Sequence, residues 1–267
     1  MEPQKKRQVE FHKKELYSSG TPREADNSNP LIAWLNNYRL RKMMEMLGIS
    51  LSGKSVLSVC GGDGEEGIFL SQQGAEVTVT DLCGSAMEAA CRRSARLHCL
   101  PMDAESLAFG DSSFDWVIVR EGLHHLARPI KAIYEMERVS REGFAFMEGQ
   151  DSLPVRLLVK LGFGEDRDPA GGYVYRFSRR EIKKIFSSVQ TLIRWRMHTA
   201  WIPFGSDMLR YHRAIRFFYP VLNHPFILRV LTGKSGKCLL KILFRGLNFL
   251  IGRWGNALIV VAWKKPD

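Results

Sequence analysis

The 267-residue sequence has only five cysteines, an odd number, and Cys60, Cys83, Cys91, Cys99 and Cys238 form no CxxC pair. None stands at zinc-finger spacing from a histidine. This excludes a disulfide scaffold and a cysteine-held metal, and makes a reduced, cytosolic chain the expectation. Long hydrophobic runs are missing too. The longest charge-free apolar run near the C-terminus, Phe217 to Leu228, carries two prolines and falls well short of the roughly 20 residues that cross a bilayer. The opening stretch MEPQKKRQVEFHKKELYSSG is charged and lacks the apolar segment of a secretory signal. Low-complexity tracts and internal repeats are absent. A composition of 45% hydrophobic and 25% charged residues excludes disorder and collagen and is enough to bury a core.

Positive charge is present in excess, at a formal +11. Nucleic acid, an anionic membrane surface and acidic substrates would each attract such a chain. The distribution is uneven: net +4 over 1–54, −7 over 55–150 and +14 over 151–267. A nucleic-acid binder lines its crevice with basic residues and interleaved aromatics. Here the basic residues lie beyond an acidic segment, so nucleic acid is disfavoured as a partner.

Patterning divides the chain. Leu31 to Leu47 has apolar residues at helical spacing and stops at Gly48, a helix C-terminal signal. From Ser55 short apolar runs alternate with helical stretches: SVLSVC, Glu66 to Gln73, EVTVTD, Ala86 to Ala95, LHCLPM and DWVIVR. A parallel sheet flanked by helices is the expected result. The runs Ser85 to Glu88 and Ser178 to Glu181 read as capping boxes at helix starts. Further on come a helix over Pro129 to Ser140, a strand over Gly143 to Glu148, an irregular stretch from Gly149 to Phe177, a helix over Arg179 to Val189, and strands over Thr191 to Trp201 and Ala257 to Trp263. Between the last two lies an aromatic and basic region with two or three helices. In one of them Lys237, Lys241 and Arg245 recur every four residues beside Leu239, Leu240, Ile242, Leu243 and Leu247, a basic amphipathic helix.

The chemistry concentrates in VLSVCGGDGEEGIFLSQQGAEVTVTD, residues 56–81. A buried strand runs into a tight loop with Gly61, Gly62 and Gly64, a helix follows, and a second strand ends on Asp81. Glycines let backbone amides approach a ligand, and a carboxylate about 20 residues on can accept both hydroxyls of a ribose. A nucleotide site is therefore expected. Asp63, Glu65 and Glu66 make a poor setting for a pyrophosphate and a better one for a cationic cofactor.

On these motifs, residues 55–150 resemble the core of the class I S-adenosylmethionine-dependent methyltransferases, in the group that includes ubiquinone and menaquinone C-methyltransferases and many small-molecule O- and N-methyltransferases. The resemblance implies an α/β fold: a Rossmann-like, doubly wound, mostly parallel seven-stranded sheet with the last strand antiparallel, N-terminal helices, and a helical insertion before the last strand. It divides the chain into a helical cap (1–54), a methyltransferase core (55–203), a basic and aromatic insertion (204–256) and the final core strand (257–267). The implied cofactor is S-adenosylmethionine. Cys60, Gly61, Gly62 and Gly64 would lie against its methionine half, with Asp81 on the ribose and Leu82 beside the adenine. In PMDAESLAF, Met102, Asp103 and Ala104 would meet the adenine, Asp103 through the amino group and Ala104 through its amide. In FDWVIVREGLHHLARPIKAIYEMERV, Arg120 and Glu121 would face the cofactor, and His124 and His125 the acceptor pocket. An N-terminal helix bearing His12 and Tyr17 would cover the crevice.

Two positions depart from the family's pattern. Ser58 stands where an acid is usual, and Cys60 where the first glycine is usual; because cysteine tolerates fewer backbone angles, a differently shaped loop is expected. The histidine pair reads either as a general base for the acceptor or as loop packing around chemistry driven by positioning. Glu148 reads as an acceptor ligand or as a turn cap. The function implied is methyl transfer to an O, C or N atom of a small-molecule or lipid-like acceptor. The basic face of Lys237, Lys241 and Arg245 reads either as a solvated helix face or as a contact with an anionic membrane on its cytoplasmic side. A non-catalytic binding module and an RNA methyltransferase are the alternatives.

Overall fold

The computed structural model describes residues 2–16, 29–162, 164, 166–167, 170–202 and 224–265. Tyr17, residue 203 of the expected core and the part of the expected insertion over 204–223 lie outside these. The elements in chain order are α1 (Pro3–Phe11, with a wider turn over His12–Leu16), α2 (Pro30–Leu47), β1 (Ser55–Val59), α3 (Glu65–Gln72), β2 (Glu76–Asp81), α4 (Gly84–Arg93), β3 (Leu97–Pro101) and β4 (Phe114–Arg120). They continue with α5 (Pro129–Val139), β5 (Ser140–Gly149), α6 (Leu153–Lys160), α7 (Arg179–Ser188), β6 (Leu192–Ala200), α8 (Pro225–Thr232), α9 (Lys234–Ile251) and β7 (Ala257–Lys264).

Seven strands form one sheet in the order β3-β2-β1-β4-β5-β7-β6. The pairs β1/β2, β2/β3, β1/β4 and β4/β5 are parallel, and β7 runs antiparallel to both β5 and β6. The doubly wound expectation and its antiparallel last strand hold. Strands covered on both faces are apolar throughout rather than alternating. Val56, Leu57 and Val59 of β1 and Val117, Ile118 and Val119 of β4 are all buried. Their side chains divide between two cores. One packs Val56, Val79 and Ile118 under α2 and α4 through Leu40, Met43 and Met87; the other packs Leu57, Val119 and Phe146 under α5 and α7 through Ile133, Met136 and Phe186.

Two local expectations are corrected. The stretch from Gly149 to Phe177 is not wholly irregular, because α6 occupies Leu153–Lys160 with Pro154 in its first turn, where the missing amide costs nothing. The capping box at Ser85 does not form. Helix α4 starts at Gly84 with no side-chain cap, and the Cys83 amide donates instead to Asp81 Oδ1 at 2.9 Å. The box at Ser178 does form, with the Glu181 amide donating to Ser178 Oγ at 3.1 Å.

Candidate functional site

Strand order reverses between β1 and β4: the chain leaves β1 towards β2 on one side and returns to β4 on the other. A crevice opens at the carboxyl ends of strands at such a point. The cavity there measures about 160 Å³, on a scale where one buried water needs roughly 10–15 Å³. It has room for an organic ligand.

Of the residues singled out from sequence, Cys60, Gly61, Gly62, Asp81, Leu82, Met102, Ala104, Arg120, Glu121 and His125 line this cavity, and Gly64, Asp103 and His124 do not. Gly64 has φ +82° and precedes α3, and a Cβ there would meet Ala90 Cβ at 2.9 Å. Its lack of a side chain lets the loop pack on α4. Asp103 is held beside the cavity by Lys5 Nζ at 2.6 Å.

In the loop after β1, Cys60 adopts φ +53°, the left-handed region that favours glycine. The loop carries local strain there, since a left-handed non-glycine residue is disfavoured by about 1–2 kcal/mol. The neighbouring turn accommodates it: Gly122 leaves the space into which Cys60 Cβ projects. Burial pushes the Cys60 thiol well above its ordinary range, and Asp81 and Glu148 add to the effect, so it is not a thiolate nucleophile. Asp81 ties the loop to the next helix, accepting from the Gly62 amide at 3.1 Å and the Cys83 amide at 2.9 Å.

The acids expected to welcome a cation are largely neutralised. Asp63 pairs with Arg93, and Glu65 with Arg120 at 2.8 Å. Glu121, at φ +54°, pairs with Arg39. Glu66 is different. It is 4% exposed, accepts from Ser58 Oγ at 2.8 Å, and its Oε2 has no hydrogen-bond partner. Burial pushes its pKa up to about 7, against the opposing pull of Arg120 and Ser58.

The two histidines separate. His124 Nδ1 lies 2.8 Å from Glu148 Oε2, while Glu148 Oε1 accepts from the Gly122 and Leu123 amides at 2.8 and 2.7 Å. Glu148, fully buried, therefore organises the turn after β4 rather than facing the cavity. His125 does face it, with the His12 ring edge-on at 5.7 Å.

Sequence reasoning missed the residues that roof the site. Lys5, Gln8 and Val9 of α1 and Asn36 and Arg39 of α2 line the cavity, and four of these five are buried polar or charged groups. Lys5 bridges Asp103 and Glu105 at 2.6 and 2.9 Å. Burial works against its charge and the two carboxylates more than offset this, holding the ammonium above its usual range. For α2 a signal existed: Asn36 and Arg39 fall on the same helical stripe as Leu40, Met43 and Leu47, and charged residues on a buried stripe mark a site.

Residues 57–147 match the sequence pattern of the family described as "Methyltransferase domain". Among curated proteins, a demethylmenaquinone methyltransferase of Clavibacter sepedonicus is 29% identical over 141 residues, which cover 52% of this chain and 58% of that protein. The chain thus spans a little over half the length of that relative. Among solved structures it is similar to phosphoethanolamine N-methyltransferase 2 of Haemonchus contortus, solved with phosphomonomethylethanolamine and S-adenosylhomocysteine (TM-score 0.58, 15% identity, 97% of this chain and 60% of that one). It is also similar to the YcgJ protein of Bacillus subtilis (TM-score 0.57, 19% identity, 86% and 100%). These two likenesses are of fold. With the sheet order they show a Rossmann-like methyltransferase fold, and the family match lies within its core.

Proposed function

We propose that this protein is an S-adenosylmethionine-dependent methyltransferase acting on a small-molecule or lipid-like acceptor. The observation that carries this reading is the cavity at the β1/β4 switch point, with the Gly61–Gly62 loop on one wall and the Asp81 carboxylate on the next. The residues present fit the cofactor. The loop amides would hold its methionine half, Asp81 its ribose, and Leu82, Met102 and Ala104 its adenine, with Asp103 acting from beside the cavity. Residues 1–54 would form the cap, 55–203 with 257–267 the core, and 204–256 the insertion.

Once bound, S-adenosylmethionine supplies a methyl group on a sulfonium. The roof formed by α1 and α2 excludes water and fixes the acceptor, and orientation alone supplies much of the acceleration of such a displacement. His125 is the side chain suited to take a proton from an acceptor hydroxyl or amine. His124, bound to Glu148, positions it. Calorimetry with S-adenosylhomocysteine tests the reading: wild type binds and Asp81→Ala binds at least 30-fold more weakly, whereas wild type without measurable binding ends it.

The partner we propose for the C-terminal third is an anionic membrane surface, and exposed apolar residues support this. In α9 Leu239, Ile242, Leu243 and Leu250 are 55–76% exposed, and Phe249 is 89% exposed. In α6 Leu153 and Leu157 are 77 and 55% exposed, and Leu161 just after it is 62% exposed. Lys237, Lys241 and Arg245 flank the α9 stripe. Among the described residues no helix is long and apolar enough to cross a membrane, so such a face suits the lipid interface. A lipid-like acceptor would be reached from there.

A further inference from the structure

Glu66 is a buried carboxylate with only one of its two oxygens hydrogen-bonded. It lies in the first turn of α3 and is 4% exposed, yet it lines the ligand cavity. Gly67 beside it presses α3 onto the sheet, since a Cβ there would meet Val79 Cγ2 at 2.6 Å. This close packing brings Glu66 down to β1, where Oε1 accepts from Ser58 Oγ at 2.8 Å. Oε2 accepts no hydrogen bond. The nearest cationic atom is Arg120 Nε at 3.9 Å, and Arg120 directs its Nη2 to Glu65 at 2.8 Å.

An ionised carboxylate buried with one oxygen unsatisfied is unfavourable unless a partner arrives. The other carboxylates lining the cavity already have theirs: Asp63 has Arg93, Glu65 has Arg120, Glu121 has Arg39, and Asp81 has two backbone amides. Glu66 is thus the carboxylate of the cavity lining left with an oxygen that accepts no hydrogen bond.

We propose that Glu66 binds the ammonium of the ligand's α-amino-acid moiety, α3 having carried a carboxylate to the part of the site where β1 presents the uncharged Ser58. The inference rests on the methyltransferase reading and adds to it the residue that recognises the amino-acid end of the cofactor. The charged groups that face Glu66 are Arg120 from β4, Glu65 from its own helix and Glu148 from β5, with Ser58 as hydrogen-bond donor. Together with burial they leave it half-protonated near pH 7. A cation selects the ionised form, so binding expels a proton and tightens as pH rises.

Calorimetry with S-adenosylhomocysteine and 5′-methylthioadenosine, which lacks the amino-acid moiety, tests this on the full chain. Wild type is expected to bind S-adenosylhomocysteine about eightfold more tightly at pH 7.5 than at pH 6, by linkage to one group of pKa about 7. Proton release should show as a dependence of the heat on the buffer's ionisation enthalpy. Glu66→Gln should bind it at least tenfold more weakly at pH 7.5, with a flat profile over that range and unchanged affinity for 5′-methylthioadenosine. Adding Ser58→Asp to Glu66→Gln should restore affinity by returning a carboxylate to β1. If Glu66→Gln binds S-adenosylhomocysteine as tightly as wild type, or weakens both ligands alike, the assignment is wrong. Wild type that binds neither ligand overturns the methyltransferase reading and this inference with it.

Discussion

Replacing Glu66 with glutamine should stabilise the protein, and the gain should depend on pH in a defined way. The carboxyl has an ordinary pKa of 4.5 and one of about 7 when buried in the fold. A raised carboxyl pKa means that the unfolded chain loses its proton first. The folded state therefore loses stability as pH rises from 4.5 towards 7, and the whole cost is present above 7. Glutamine keeps the shape of the protonated acid, including an oxygen that can accept from Ser58, and cannot ionise. At 2.303RT, or about 1.4 kcal/mol, per pH unit, the cost of the charge is about 1 kcal/mol at pH 5 and about 3 kcal/mol at pH 8. Urea unfolding followed by tryptophan fluorescence at the two pH values measures the difference. Glu66→Gln should exceed wild type by about 2 kcal/mol more at pH 8 than at pH 5, with unchanged dependence on urea. An equal advantage at both values, or none, would refute the argument that the charge is buried and poorly compensated.

Glu148→Ala removes the acceptor of two buried amides and the partner of His124. It should destabilise by about 3 kcal/mol, and a protease should cut first near residues 120–126. Lys5→Ala breaks the bridge from α1 to Asp103 and Glu105, so tryptic cleavage after Lys13 or Lys14 should accelerate at least tenfold while the melting of the core changes little. Changing Lys237, Lys241 and Arg245 together to glutamine should lower partitioning onto anionic vesicles by about 100-fold, at about 1 kcal/mol for each basic residue. A wild-type chain that stays in solution with such vesicles ends the membrane proposal.

Much of the fold was legible because its signals are local. Apolar runs of β1 and β4 too continuous for an amphipathic sheet announced strands covered on both faces. The glycines at 61, 62 and 64 and the acid at 81 placed a ligand loop at the end of β1. Helix α6 was hidden by the glycine-rich segment after it, and with Leu153 and Leu157 facing outwards and Val155 its one buried side chain, no inward stripe betrayed it. The Ser85 box failed because Asp81, two residues before the Cys83 amide, was nearer to hand as an acceptor.

The sequence by itself determined the doubly wound sheet, the position of the ligand loop and the basic character of the C-terminal third, since strand burial, backbone freedom and net charge follow from residue type and short-range order. Tertiary structure decided which charges the site retains. Three acids stood together at 63, 65 and 66, and nothing in their order distinguished them. Arg93 and Arg120, 30 and 55 residues away in the chain, neutralise the first two. The third is folded under α3 against Ser58, where an unmatched carboxylate oxygen faces Arg120 Nε at 3.9 Å. The strength of a charge depends on its desolvation and on the distance to its partners, and both are properties of the folded chain.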